Sequence, residues 1–392
     1  MISTSFDKID SSVIEDLVAR KVAEVKTLEY KAALPGGSDS DVKEFLADVS
    51  SFGNASGGDI VYGISEERTD AGRKTGRPEA IVGIQNVSPD EVVRRLEGSI
   101  RDGIAPRLKV ETKAVSTDGG VVVVMRIRQS YAAPHMVTYK GSSRFFTRSS
   151  AGKYRLDVTE IRAAFLASEA MPERIRRFRQ ERLARIVADE TPRPLQPAPR
   201  LVIHLLPVSA FLRPSGMEQI AFSEEVNVAI QKAAPGGYVF RHNFDGFVGA
   251  RGLETDRKCG YLQVFRSGAL ESVDCGVLEA GSLAKCIPAI AYERDVIATV
   301  RGHLAVLKSV AIEPPALLML SLLGVKGFRM GTRGMEDDAS IDRDALILPD
   351  ITVENYAANA DQILHPAFDM IWQACGYDRC FNYDDRGNWV GR

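Results

Sequence analysis

Apolar positions fall at helical spacing near the start of the chain. Ser12, with Glu15 three residues on, carries a capping-box signal, and Ile14, Leu17, Val18, Val22 and Val25 follow at intervals of three and four, predicting a first helix. Leu28-Glu29-Tyr30-Lys31 then alternates with period two, which puts Leu28 and Tyr30 on one face of a short strand and Glu29 and Lys31 on the other. Ser40 is the expected cap of a second helix with the stripe Val42, Phe45, Leu46, Val49 and Phe52, ending near Gly53-Asn54, after which Gly57-Gly58 turns the chain into an apolar strand over 60–64. Ser88-Pro89-Asp90-Glu91 announces a third helix with Val92, Val93, Leu96 and Ile100 inside. Two strands flank Asp118-Gly119-Gly120, and a hairpin joins 136–139 to 144–148 through Lys140-Gly141-Ser142. Asp157 with Glu160 opens a helix that runs to about Ser168.

The mixture is α+β, with a mixed or antiparallel sheet and flanking helices. Met171-Pro172 separates it from an arginine-rich helix, and Pro192, Pro194, Pro197 and Pro199 mark the clearest linker in the chain. Beyond it, strands are expected at 201–207 and 238–241, in a hairpin over 261–273 around Ser267-Gly268, and in the buried apolar run 316–325, with a long helix over 289–310. Residues 1–168, a connector over 169–199 and a second α+β domain over 200–392 are the expected divisions.

Composition adds little beyond globularity: 45% of residues are hydrophobic, 26% are charged and the net charge is −2. No stretch reaches the roughly 20 apolar residues that cross a bilayer, and the polar first ten residues lack the apolar run of a secretory signal. Five cysteines at irregular spacing in such a chain read as reduced thiols, so a cytoplasmic protein without membrane association is expected. Charge is unevenly spread. Residues 99–155 hold eleven Lys/Arg against three acids, whereas the chain from Leu201 onward is net acidic. A positive footprint is the precondition for a phosphate-backbone ligand, although such runs are also common on solvated faces.

The chemistry centres on three acids, Glu24, Glu29 and Glu66, placed at the end of the first helix, on the first strand and in a loop after the Gly-Gly strand. If a break between helix and strand lets them converge, they form a hard-oxygen site for Mg2+ or Mn2+, with Lys31 balancing phosphate charge; otherwise they are surface acids. Arg144, Phe146 and Arg148 share one face of a strand, and Arg126 and Arg128 repeat the pattern next to it. With Lys140, these suit a surface that tracks a backbone and stacks bases, the alternative being that Phe146 fills core and the arginines pair with acids. His135 reads as a turn residue, and Gly57-Gly58 as a tight turn before a phosphate cradle. Ala151-Gly152-Lys153-Tyr154 fails the phosphate-loop pattern, and no zincin motif, Gly-x-Ser-x-Gly elbow or paired zinc cysteines occur.

Taken in order, Leu28-Glu29-Tyr30-Lys31, Phe52-Gly53-Asn54-Ala55-Ser56-Gly57-Gly58-Asp59-Ile60-Val61-Tyr62-Gly63-Ile64, Ile104-Ala105-Pro106 and the basic hairpin 139–148 resemble the Schlafen AlbA-like domain over about residues 15–165. The resemblance implies a metal-dependent endoribonuclease acting on tRNA or another structured RNA, with Glu24 and Glu29 at the first two acid positions. The third acid is displaced by one residue, since Ser65 stands between Gly63-Ile64 and Glu66. It further implies a homodimer that builds one cleft from two cores, a role in antiphage or stress defence, and a second domain that receives a protein or ligand trigger. The alternatives are a non-catalytic nucleic-acid-binding or ATP-binding transcriptional regulator, and a protein-interaction module centred on the acidic second half.

Overall fold

A computed structural model describes all residues except 3, 5, 86, 213–219, 235–237, 252–259, 279–284, 333–338 and 392. The chain forms two compact units, Met1–Met171 and Pro172–Arg392.

In the first unit, Asp10 caps α1 (Ser11–Ala19), its carboxylate accepting from the Val13 N–H. The expected cap, Ser12, lies inside the helix and donates its hydroxyl to Asp10. Lys21 takes a left-handed φ of 48°, so α1 stops there and Val22 and Val25 fall in a loop instead of continuing the stripe. Then come β1 (Leu28–Lys31) and α2 (Asp39–Gly53), followed by β2 (Gly58–Tyr62), β3 (Ile64–Arg68), β4 (Lys74–Ile81) and α3 (Pro89–Gly103). The unit continues with β5 (Ile104–Ala105), β6 (Val110–Thr117), β7 (Gly120–Ile127), β8 (Met136–Val137), β9 (Arg144–Ser149), β10 (Gly152–Arg155) and α4 (Val158–Glu169).

The cap of α2 is Ser38, in a reciprocal box with Asp41, two residues ahead of the expected Ser40. Asp157 and Glu160 form the expected box on α4. The main sheet runs β1-β2-β7-β6, with β1 parallel to β2 and the other pairs antiparallel. Both of its faces are covered. Ile60, Tyr62, Val123, Met125 and Ile127 pack with Phe45, Val49 and Phe52 of α2 and Leu96 and Ile100 of α3, while Tyr30, Val61, Val122 and Val124 pack with Ile14 and Leu17 of α1. This two-sided burial explains why β7 is continuously apolar from Val121 to Met125 instead of alternating. A second sheet runs β10-β9-β8-β5, and β3 pairs with β4 in a hairpin. The sequence reading missed that hairpin and placed Glu66 on a loop.

The second unit opens with α5 (Met171–Val187, of which Pro172 onward belongs to it), β11 (Arg200–Pro207), α6 (Ser209–Leu212) and α7 (Glu224–Ala233). β12 (Tyr238–Asn243), β13 (Gly246–Arg251), β14 (Gly260–Phe265), β15 (Leu270–Asp274), β16 (Cys286–Pro288) and α8 (Ala289–Ser309) follow. The last elements are β17 (Ala316–Leu323), β18 (Arg329–Gly331), β19 (Ala345–Ile347), β20 (Ile351–Val353) and α9 (Ala360–Gln373). Its large antiparallel sheet has the order β12-β13-β14-β15-β11-β17-β19, with β20 also on β17. One face packs on α8 and α9.

The other face receives Leu183 and Ile186 of α5, with Leu195 and Ala198 of the proline run packed beside them. The arginine-rich helix is therefore an integral layer of the second unit, correcting the expectation of a connector over 169–199. Its inward arginines are buried: Arg179 donates to Leu348 O, Leu320 O and Ser321 Oγ at 2.7, 2.6 and 2.9 Å, and Arg182 grips Glu271 with two bonds of 2.8 and 2.7 Å. Among the described residues no helix is long and apolar enough to cross a membrane. Cys275, Cys286, Cys375 and Cys380 are free thiols, and Cys259 lies outside the described residues.

Candidate nucleic-acid site

The three acids come from three segments of the first unit. On β1 the burial of Leu28 and Tyr30 turns Glu29 and Lys31 to the opposite face, as the alternation predicts. Glu24 sits in the α1–β1 loop, tied to β4 by its own N–H bond to Gly76 O at 2.6 Å. Its carboxylate accepts the Tyr30 main-chain N–H at 2.7 Å, and the Tyr30 hydroxyl closes the loop on Val22 O at 2.9 Å. Glu66, largely buried on β3, pairs with Lys74 of β4. Burial first, then the negative charges of Glu66 and Glu29, raises the Glu24 pKa above the ordinary glutamate value, even though the Tyr30 N–H bond works the other way. The three acids thus share one electrostatic neighbourhood.

Glu29 is held by two cations: Lys31 Nζ lies 2.6 Å from Oε1, and Arg148 Nη2 donates to Oε2 at 2.8 Å. Burial opposes its ionisation, but Lys31 and Arg148 outweigh that and lower its pKa. Lys31 is itself partly buried, which disfavours its charge, yet Asp48 and Glu29 together hold its pKa well above that of a free lysine. Asp48 lies in the middle of α2, bonded to Lys31 at 3.3 Å and to Lys153 at 2.6 Å. Sequence reasoning missed Asp48 and Lys153 as site residues. A signal existed, because Asp48 stands three residues after Phe45 and four before Phe52, which sets a carboxylate within the apolar stripe of α2. Among the described residues no group of three or more His, Cys, Asp and Glu stands as a preformed metal-ligand set. Glu29 and Glu66 turn their oxygens to Lys31, Arg148 and Lys74 instead.

The basic residues divide. Arg144 is exposed at the start of β9, and Lys140 is exposed but pairs with Asp39 at 2.7 Å. Arg128 pairs with Glu111 at 2.7 Å and keeps partial exposure. Arg126 is only 2% exposed: it makes a two-point pair with Asp59 and donates to Ile2 O and Thr4 O, stapling the N-terminal segment to the sheet. Its assignment to a nucleic-acid surface is corrected, because β7 is an interior strand with both faces covered. Of the expected Arg144-Phe146-Arg148 face, only Arg144 is exposed. Phe146 packs against the core of α2 and α3, and Arg148 is buried with its guanidinium 3.6 Å from the Phe52 ring centroid. Arg148 Nε and Nη1 have no hydrogen-bond partner.

The Asn-x-x-Gly-Gly stretch is structural. Asn54 Nδ2 donates to His135 O and Phe146 O at 2.8 Å each, and its oxygen accepts the His135 N–H at 2.6 Å, clamping the end of α2 to the β8–β9 hairpin. Gly57 has a φ of 70°, and a Cβ there would lie 2.7 Å from Gln129 N, so the pair is a tight turn. His135 is buried with Nδ1 2.7 Å from Pro106 O.

Residues 24–157 match a family model described as Schlafen, AlbA_2. No curated protein matches the chain. Among solved structures, the N-terminal domain of a Nitrosomonas europaea protein described as related to the ATP-dependent DNA helicase RecG aligns at 24% identity over 38% of this chain and 87% of that one, with a TM-score of 0.24. The DIP2311 protein from Corynebacterium diphtheriae aligns at 18% identity over 37% of this chain and 26% of its own, with a TM-score of 0.25. Over residues 24–157, within its first unit, the chain carries a Schlafen AlbA-like domain.

Proposed function

We propose that the first unit handles nucleic acid and acts as an endoribonuclease on tRNA or a similarly structured RNA. The observation that supports this most is the placing of the Glu24 carboxylate on the Tyr30 N–H, next to Glu29 with its cations Lys31 and Arg148, where the charges of Glu29 and Glu66 both act on it. The family match supports the coarser part of the reading, a nucleic-acid-related role.

Oxygen donors of this kind suit Mg2+ or Mn2+, and a bound dication would offset both the burial and the neighbouring carboxylate charges that raise the Glu24 pKa. Glu24, Glu29 and Glu66 would hold it only once Glu29 and Glu66 turn oxygens away from Lys31, Arg148 and Lys74, and when bound it would polarise the scissile phosphate. Lys31 and Arg148 keep Glu29 ionised and carry positive charge to where phosphate oxygens arrive. Exposed Arg144 extends that charge along β9. A second copy completing the cleft and a trigger acting through the second unit are further parts of the proposal.

The test is incubation of the pure protein with total tRNA and Mn2+. Cleavage that falls by at least about a hundredfold in Glu29→Ala is expected, in line with the loss of an electrostatic active-site group; cleavage that survives the substitution sinks the reading. The ion pairing of Glu29 and Glu66 favours a second reading, a non-catalytic nucleic-acid-binding or ATP-binding regulator. That reading predicts RNA binding with no metal-dependent cutting.

A further inference from the structure

We propose that Lys31 and Lys153, joined through Asp48, form a seat for one phosphate group of a bound RNA strand, and that Asp48 is the positioning residue of this seat. The proposal rests on the nucleic-acid reading above. It adds two residues that neither the acid cluster nor the basic hairpin pattern had singled out.

The three side chains come from β1, α2 and β10. One carboxylate holds both ammonium groups, Oδ2 at 3.3 Å from Lys31 and Oδ1 at 2.6 Å from Lys153. The Asp48 side chain is 7% exposed, whereas Lys31 and Lys153 keep 32% and 20%. Solvent, and any ligand, therefore meets the lysines and not the acid between them. Each lysine has a second partner of a different kind. Lys153 also touches Glu44 at 2.5 Å, but that glutamate is 67% exposed, and exposed pairs hold weakly. Lys31 also touches Glu29.

Lys153 thus has one buried, fixed counter-charge, Asp48, and one, Glu44, that an incoming anion can replace, while Lys31 stays fixed between Asp48 and Glu29 with its side chain 32% exposed. A phosphodiester takes over the role of Glu44 and meets two ammonium groups already ordered by Asp48, so little ordering is left to be done on binding. Arg148, on the far oxygen of Glu29, is buried against Phe52 and adds fixed positive charge behind this row. The sign of the effect at the two carboxylates distinguishes this seat from a diffuse positive patch. In a diffuse patch, neutralising any nearby acid tightens RNA binding. In the seat, neutralising Glu44 removes a competitor, while neutralising Asp48 releases the cations.

Fluorescence anisotropy of a short labelled single-stranded RNA with the full chain in EDTA, over a range of salt concentrations, tests this. Glu44→Gln is expected to tighten binding by roughly threefold, about the strength of one exposed ion pair. Lys153→Met is expected to loosen it and to lower the salt slope by about 0.7, the loss of one phosphate contact on a single strand. Asp48→Asn is expected to loosen binding roughly tenfold and to lower the slope as well, although it removes a negative charge, and Asp48→Glu to recover most of the loss. Should Asp48→Asn fail to fold, Glu44→Gln, Lys153→Met and Asp48→Glu still decide the matter. Tighter binding in Asp48→Asn, or an unchanged slope in Lys153→Met, overturns the seat while leaving the nucleic-acid reading intact. A parent protein that binds no RNA at low salt overturns both.

Discussion

Arg126 of β7, and Arg148 two residues from Phe146 on β9, both turn inward, so the same pattern that marks a base-stacking face also marks buried ion pairs. Alternation reports which residues share a face; it does not report whether a second layer covers that face, and here α2 and the N-terminal segment do. Arg126 is accordingly a structural residue. Asp59→Ala leaves its guanidinium buried without a counter-charge, and a loss of about 3–5 kcal/mol is expected by urea unfolding. The double change Asp59→Leu with Arg126→Met should cost less than the single one, and a single variant as stable as the parent would return Arg126 to a ligand-facing role. Glu24 makes the opposite case. Its folded pKa is raised, so its contribution to stability is fully present below the unfolded value and is lost as pH rises through the folded one. Glu24→Gln should therefore melt at a higher temperature than the parent at pH 7, with the gap closing as pH falls towards 4, while RNA cleavage is lost. An unchanged or lower melting temperature at pH 7 counts against the penalty that burial and the neighbouring carboxylates place on the Glu24 charge.

Among elements, helices were the most legible because caps and apolar spacing are local: α3, α4 and α8 lie close to their expected bounds. The first helix was read too long because Val22 and Val25 fit its stripe, and only the left-handed backbone at Lys21 ends it. The β3–β4 hairpin was not legible. Its burial is partial and its residues are mostly polar, so neither a period of two nor an apolar run marks it, yet it carries Glu66 and the Lys74 that faces it. The Gly57-Gly58 turn was legible, and its reason is now geometric. A Cβ on Gly57 would meet Gln129 N at 2.7 Å and Ile127 O at 2.8 Å, both main-chain atoms of the segment continuing from β7, at a φ of 70°. Gly57→Ala is expected to cost roughly 2–3 kcal/mol by urea unfolding, the scale of a strained left-handed backbone with a steric clash. It should also weaken the site, because the turn fixes the end of α2, where Phe52 stacks under Arg148. A silent substitution would mean that the turn relaxes without moving α2.

For the molecule as a whole, the proline run looked like the boundary between domains, but the cores place it elsewhere. Leu183 and Ile186 of α5 share a core with Val202, Tyr261 and Val273, so the chain changes unit before α5 and the prolines merely join α5 to β11. Burial of Arg182 against Glu271, with Tyr261 and His204 also bonded to that carboxylate, ties α5 to its sheet at a site where removing one partner costs most. Each unit buries its own apolar clusters, and both tryptophans, Trp372 and Trp389, belong to the second. Tryptophan fluorescence therefore reports the unfolding of the second unit alone, while far-ultraviolet circular dichroism reports both. In urea, Arg182→Ala should move the fluorescence transition to lower denaturant by the equivalent of about 3–5 kcal/mol and leave the remaining dichroism transition in place. Asp59→Ala should do the reverse. If either substitution shifts both probes equally, the two cores unfold as one cooperative body, and a signal received by the second unit could then reach the acids through stability alone; separate shifts require a specific structural path between them.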